Sequence, residues 1–297
     1  NYAGETALAA VGSNSALIAL IVNVLLGVCT GTSVVVAKYY GAKAEKELSA
    51  TVNTSMFIAV AGGIIFALAG ILLARILLVA MGTPGKVLPG ATVYLQIYFA
   101  GLPALEIYNF SSAILRAAGD TRRPLYFLTA AGIINVGLNL FFVIVLGIAV
   151  EGGALATVIN QCVSAALTLT ALCRSDGIYR LNLKKFRISF TAFKQIIRIG
   201  LPAGIQSSMF SISNVLIQSS INSFGALVMA GNSAAVSIEG FAFTSLDAVN
   251  QASITSISQN MGARKYDRTK KTVLCCVLAE VVLGEALGWL IILLGRF

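Results

Sequence analysis

The segment that decides the fold is "MFIAVAGGIIFALAGILLARILLVA", from Met56 to Ala80. It has one charged residue, Arg75, and it exceeds the roughly 20 apolar residues that a helix needs to cross a bilayer. The chain of 297 residues is 57% hydrophobic and 11% charged, with a mean hydropathy of +0.87. Soluble domains carry about 25% charged residues, and a soluble domain of this size could not bury so much apolar surface. We therefore predict a membrane protein.

Seven further apolar runs flank this segment, and together they predict an all-α polytopic membrane protein with eight transmembrane helices. The predicted spans are 13–37, 50–80, 88–115, 124–147, 152–173, 193–223, 231–260 and 272–294. Some spans exceed the minimum length, which implies tilted helices or helix ends among the lipid headgroups.

Lys and Arg are concentrated in alternate loops. Of the 21 such residues, 18 lie in four loops that the predicted spans place on one side of the membrane. Loops rich in Lys and Arg stay in the cytoplasm, so these four loops are predicted to be cytoplasmic and both ends of the chain to lie outside. The net charge of +9 then requires no nucleic-acid partner.

Two cytoplasmic turns reveal an internal repeat. The turn "YYGAKAEKELSA" (Tyr39–Ala50) is echoed by "NMGARKYDRTKK" (Asn260–Lys271), which places Gly41 on Gly262 at a shift of 221 residues. The same shift, without a gap, aligns the helices that precede the turns. Both turns are predicted on the same side, so each repeat contains an even number of helices, and six spans separate the turns. Such copies are related by an axis along the membrane normal.

The repeat predicts a twelve-helix transporter built from two six-helix lobes, of which this chain holds helices two to nine. Residues 1–174 are assigned to the amino-terminal lobe, 175–192 to a cytoplasmic linker, and 193–297 to the start of the carboxy-terminal lobe. The chain opens without Met, which agrees with a fragment that lacks the first helix and the last three.

The residue inventory argues against an enzyme. The chain has no histidine, which is the commonest general base and metal ligand. Its five cysteines lie in or beside apolar runs without a CxxC pair, so they are interpreted as helix-packing residues. We therefore expect no catalytic residue, no cofactor and no resident metal.

Polar residues within membrane spans are the candidates for substrate and ion sites. Ser207, Ser211, Asn214 and Gln218 form one stripe on their helix, which favours a water-filled cavity over simple helix packing. Asn135 and Asn139 lie four residues apart on one face, and for them an interhelical hydrogen-bonding pair is an equal alternative. Pro202 and Pro103 interrupt backbone hydrogen bonds in their spans, and fixed kinks are the simpler interpretation.

Acidic side chains inside the spans are candidates for coupling transport to an ion or proton, because a carboxylate can bind either. Glu239 and Asp247 lie in the most polar span, and Asn250 and Gln251 share the helix face of Asp247. Glu106 in the third span is an equal balance between coupling and a structural hydrogen bond. No basic residue lies near mid-span to pair with these acids.

Several segments resemble the multidrug and toxic compound extrusion (MATE) family. They include "GDTRRPLYFL" (Gly119–Leu128), "INVGLNLFFVIVLGIAVEGGALATVINQ" (Ile134–Gln161) and "RIGLPAGIQSS" (Arg198–Ser208), and the resemblance covers the whole chain in order. It implies a two-lobed antiporter, monomeric, in the bacterial inner membrane. Such a protein would export organic, often cationic, compounds in exchange for sodium ions or protons. Its partners would be a small organic substrate and the lipid bilayer.

The resemblance transfers the family's site residues only in part. The family often has an Asn and an Asp four apart on its fifth helix; Asn135 matches the former, and Asn139 stands in place of the Asp. Some members have a Glu on the seventh helix, where this chain has only Gln206 nearby. The choice between sodium and protons therefore stays open.

A flippase for lipid-linked oligosaccharides of the same superfamily is the alternative. Its phosphorylated substrate would require Arg or Lys in the cavity, and only Arg75, near the outer end of its helix, is available. A membrane-embedded enzyme and a channel fit the sequence less well, because no nucleophile–base arrangement is visible and the six-helix repeat is typical of transporters.

Overall fold

The computed structural model describes residues 4–81, 83, 85, 87–148, 150–182, 186–222 and 226–294. Every regular element in these ranges is a helix, and the predicted all-α class is confirmed. The nine α-helices of the described ranges are α1 (Gly4–Gly41), α2 (Glu45–Ala80), α3 (Leu88–Ala100), α4 (Leu102–Ala117), α5 (Arg122–Leu140), α6 (Val150–Cys173), α7 (Phe190–Asn222), α8 (Ala226–Gly262) and α9 (Tyr266–Leu294). A π-helical turn, Phe141–Val145, extends α5.

The helices follow the eight predicted spans, with α3 and α4 sharing the third. Five helical segments in the described ranges are long and apolar enough to cross a membrane by length and composition alone. They are Ile18–Gly41, Glu45–Ala80, Arg122–Val145, Glu151–Cys173 and Tyr266–Leu293. The third span is split into two shorter helices, and α7 and α8 are the polar helices singled out above. We call the membrane side with the four basic loops the basic face, and the other side the opposite face.

The two prolines act differently. The third span breaks at Gly101, between Ala100 and Leu102, and Pro103 occupies the first turn of α4, where its missing N–H costs no intrahelical hydrogen bond. Pro202 lies inside α7, which continues as one helix from Phe190. That helix begins three residues before the predicted lobe boundary at 193, and the division into lobes stays a prediction.

The internal repeat is visible in the backbone of the two turns. Lys43 has φ of 53° and Arg264 has φ of 56°, and these are the positive-φ non-glycine residues of the described chain. Each turn also forms the same hydrogen bonds at a shift of 221 residues. In the first turn, Ala42 N–H donates to the carbonyl of Lys38 at 3.0 Å; in the second, Ala263 N–H donates to that of Gln259 at 2.9 Å. Both turns are therefore the same left-handed helix cap.

The amino-terminal bundle has two apolar cores. Nearer the basic face, α1, α2, α4 and α6 pack around fully or almost fully buried side chains that include Val36, Leu48, Phe110 and Ile114. Nearer the opposite face, Leu78, Leu95 and Phe99 belong to a second core. The bundle encloses polar side chains between these cores, as described below.

Candidate substrate and coupling-ion sites

Helices α1 and α7 form a glycine seam, defined by Gly27, Gly31, Gly200 and Gly204. A β-carbon added to Gly27 would collide with the backbone nitrogen and Cα of Gly204, and one added to Gly31 would lie 2.8 Å from the backbone nitrogen of Gly200. Each helix thus contributes a G-x-x-x-G motif, which lets two membrane helices approach backbone to backbone. The sequence already contained this signal in "GVCTG" and "GLPAG".

The ends of α1 and α8 meet at the basic face through two equivalent contacts. A β-carbon on Gly41 would collide with the backbone carbonyl of Gln259, and one on Gly262 would collide with that of Lys38. Because 38 and 41 become 259 and 262 at the repeat shift of 221, this contact pair is two-fold symmetric. The side-chain amide of Gln259 also donates to the carbonyl of Ala117 at 2.7 Å, which ties α8 to the end of α4.

The polar stripe of α7 begins at the outer end of the seam. Asn23 on α1 donates through its side-chain amide to the hydroxyl of Ser211 at 2.6 Å. Toward the opposite face, Asn214 is exposed, as are Ile212, Leu216 and Ile217. Gln206 and Ser207 are also exposed. The side chain of Gln218 lies outside the described part of the structure. Sequence reasoning missed Asn23, although a lone Asn in "IVNVLL" was a readable signal.

Asn135 and Asn139 bond to each other along α5. The Asn139 amide donates to the Asn135 carbonyl at 3.0 Å and to the Asn135 side-chain oxygen at 3.1 Å. Both side chains are half-buried. The bond runs within one helix, whereas the sequence suggested a bond between helices. Across the helix pair, Gly153 of α6 lies opposite the Asn139 side-chain oxygen.

The acids of α8 are exposed. Glu239 and Asp247 both have exposed side chains in the described structure, as does Asn250, while Gln251 is half-buried. These residues are two or more helical turns from the contact at Gly262. Their positions agree with a surface that faces the space between lobes or lipid, and their predicted coupling role stays a prediction.

Glu106 is the acidic side chain that the structure buries. It is 0% exposed on α4, and neither carboxylate oxygen has a hydrogen-bond donor. Asn109 lies close enough to interact with the carboxylate, but it does not reach hydrogen-bond geometry. A buried carboxylate without a hydrogen-bond partner is costly, so this residue requires an explanation.

Further buried polar atoms without a partner lie in the same bundle. They are the hydroxyls of Thr32, Ser55 and Ser112 and the side-chain oxygens of Asn160 and Gln161. Sequence reasoning missed them because Ser and Thr are frequent in membrane helices, where they usually bond their own backbone, as Thr54 does with Ala50. In the described residues, no group of three or more His, Cys, Asp or Glu side chains is arranged to hold a metal ion.

Comparison with known proteins agrees with this architecture. The MatE family model matches residues 1–151 and 202–297. A protein named "Probable multidrug resistance protein YoeA" from Bacillus subtilis (strain 168) is 28% identical over 308 residues, covering 100% of this chain and 65% of that protein. The "FAD transporter" of Shewanella oneidensis is 22% identical over 281 residues, covering 91% of this chain and 61% of that protein.

The fold also matches solved structures. An outward-facing multidrug resistance MATE family transporter superimposes with a TM-score of 0.90 at 22% identity, covering 99% of this chain and 65% of that one. A transporter from Pyrococcus furiosus, described as having a binding pocket of reversed polarity, gives 0.89 at 23% identity, covering 98% of this chain and 65% of that one. This chain spans less than two thirds of the length of the curated relatives cited. With its helical bundle, repeated turns and matched family model, the chain belongs to the MatE family of multi-pass membrane transporters.

Proposed function

We propose that the protein is a secondary active antiporter of the bacterial inner membrane, which exports organic, chiefly cationic, compounds in exchange for sodium ions or protons by alternating access. The observation that carries this proposal is the asymmetry of contact between α1 and α7. The two helices touch backbone to backbone from Gly204 to Ile196, toward the basic face, whereas α7 beyond Ser211 presents exposed side chains.

This geometry suits a state open to the opposite face. Two bundles that are joined along half of their length leave a cleft along the other half, and the polar side chains of Ser207, Ser211 and Asn214 lie on the helix that would line it. With the basic face in the cytoplasm, the cleft opens outward. Export then requires the lobes to separate at Gly41 and Gly262 and to close on the opposite side.

Coupling follows from differential binding. An ion or proton that binds one state more tightly shifts the equilibrium toward that state, and substrate shifts it toward the other. Glu106, Glu239 and Asp247 are the three candidate coupling acids, in different surroundings: the first is enclosed in a bundle and the other two are exposed.

The test is ethidium efflux from everted vesicles that carry the protein expressed from its complete gene, under separately imposed sodium and pH gradients. We expect efflux that requires one of the gradients. Glu239→Gln and Asp247→Asn are assayed beside wild type, with membrane insertion checked by immunoblot. A wild-type protein that moves no organic cation under any gradient would contradict the antiporter proposal, and transport of a lipid-linked oligosaccharide would then be measured.

A further inference from the structure

We infer that Glu106 is a proton-binding site enclosed within the amino-terminal bundle and that a column of buried polar side chains carries protons to it, so that the coupling ion is the proton. This inference rests on the proposed antiport and adds the ion and its site. We call the following residues the polar column: Tyr98, Gln161, Glu106, Ser112, Thr32 and Ser55.

Printed contacts place Glu106 between known levels of the bundle. On the opposite-face side, Gly63 of α2 approaches Pro103, because an added β-carbon would lie 2.7 Å from the Pro103 Cα. On the basic-face side, the Ser111 hydroxyl lies 3.6 Å from the Met56 sulfur. Glu106 lies between these contacts, where α2 contributes only apolar side chains and glycines over residues 57–63. The carboxylate is thus surrounded by protein on the α2 side.

No charged group compensates Glu106. The titratable groups that interact with it are the Cys29 thiol on α1 and the Tyr98 hydroxyl on α3, and both are ordinarily neutral at pH 7. Between Leu48 and Ala74, α2 has no titratable side chain, and α6 has only the exposed Cys162 between Gly152 and Leu172. Arg116 is ten residues further along α4, about 15 Å away along the helix axis.

An ionised carboxylate in such surroundings would be an unpaired charge in a low-dielectric interior, which costs far more than protonation. Glu106 is therefore the neutral acid in this conformation. A sodium ion would need several converging oxygen ligands, whereas binding a proton needs one carboxylate: the carboxylate plus a proton gives the carboxylic acid, and nothing else is consumed. The structure supplies one carboxylate here and no second acid beside it.

Unpartnered polar atoms continue from Glu106 toward both faces. Toward the basic face, Ser112 is six residues on, about 9 Å along α4, and its hydroxyl is buried without a partner. Thr32 lies at the same level, because Cys29, three residues before it, donates its thiol to the carbonyl of Asn109, three residues before Ser112, at 3.3 Å. Ser55 lies beside Met56 at this level as well.

The column reaches polar groups near both faces. On the basic-face side, the residue before Ser55 is Thr54, whose hydroxyl accepts a hydrogen bond from the backbone N–H of Ser189 at 2.9 Å in the loop before α7. On the opposite-face side, the Gln161 side-chain oxygen faces Gly101, and Gln161 interacts with the half-buried Tyr98. Hydroxyls that both donate and accept hydrogen bonds are suited to relay a proton.

The first experiment does not use a transported substrate. Infrared difference spectra of the purified protein from its complete gene, between acidic and alkaline buffer, are expected to show a titrating carbonyl band of a protonated carboxylic acid. The band should be lost in Glu106→Gln, shifted but retained in Glu106→Asp, and unchanged in Glu151→Gln, the same substitution at an exposed acid of α6. Persistence of the band in Glu106→Gln, its absence in wild type, or its removal by sodium at constant pH would each overturn the inference.

The second experiment tests the column and separates this inference from the antiport proposal. Thr32→Val with Ser112→Ala should keep the band but slow its response to a pH jump by about fivefold to tenfold, the kinetic equivalent of losing about one hydrogen bond. Unaltered kinetics would overturn the column. In ethidium efflux, Glu106→Gln should lose the response to a pH gradient. If wild type moves no ethidium but the infrared band behaves as expected, the antiport proposal fails while the proton site stands.

Discussion

The contact between Gly262 and Lys38 allows the closure at the basic face to be tested with one methyl group. Gly262→Ala places a β-carbon against the carbonyl group of Lys38, 2.7 Å from its carbon and 3.0 Å from its Cα. Gly262 is not among the positive-φ glycines of the described chain, so alanine fits its backbone and only the contact is affected. Ordinary contact begins near 3.4 Å, so α1 and α8 must separate by about 1 Å or more.

Overpacking of a tight contact costs about 1–3 kcal/mol. Because the cost is confined to the state in which α1 and α8 touch, it changes the ratio of closed to open states at the basic face by about 5-fold to 150-fold. We expect the population to shift toward the state open at this face. Helix propensity acts in the opposite direction on stability, since alanine favours a helix over glycine by up to about 1 kcal/mol.

The assay is the distance between spin labels at positions 46 and 270, two exposed lysines beside the two turns, measured by pulsed electron resonance in a cysteine-free background. Gly240→Ala is the matched control, because Gly240 lies on the same helix and an added β-carbon there meets nothing within 4 Å. Longer distances in Gly262→Ala alone are expected. Identical distance distributions in wild type and both variants would refute the reasoning that this contact holds the lobes together.

Two further predictions concern the turns and the seam. Replacement of Lys43 by Gly should raise the thermal stability of the protein in detergent by about 0.5–1 kcal/mol, because φ of 53° is strained for a side chain with a β-carbon; Lys46→Gly, within helix α2, should lower stability by a similar amount, and equal effects of both would contradict the assignment of the cap. Asn23→Ala should weaken the lobe contact by about 0.6 kcal/mol, the average for a membrane hydrogen bond, and Ser211→Ala should add little to it in a double-mutant cycle; additive effects would show that the 2.6 Å bond does not couple them.

Much of the architecture could be predicted from the sequence because membranes impose simple rules. Apolar length predicted the spans, and the gapless shift of 221 residues predicted two equivalent turns, which the structure confirms in the paired positive φ values of Lys43 and Arg264. The break near Pro103 was also predictable, although its place at Gly101 was not, because a proline in the first helical turn displaces the break to the residues before it.

The candidate site was predicted less well. The polar stripe of α7 was readable from spacing, but the pairing of Ser211 with Asn23 joins residues 188 apart in the chain. The acids illustrate the same limit. Composition favoured Glu239 and Asp247 because their helix is polar, whereas burial without a hydrogen-bond donor distinguishes Glu106.

The sequence by itself determined that this chain crosses a membrane, in which helices it does so and that it contains a repeat, because each of these follows from local hydropathy or from identity along the chain. Only the tertiary structure decided which glycines meet across the lobes and which carboxylate is enclosed. Both depend on the packing of helices that are distant in sequence, and the electrostatic cost of a charge is set by what surrounds it on every side.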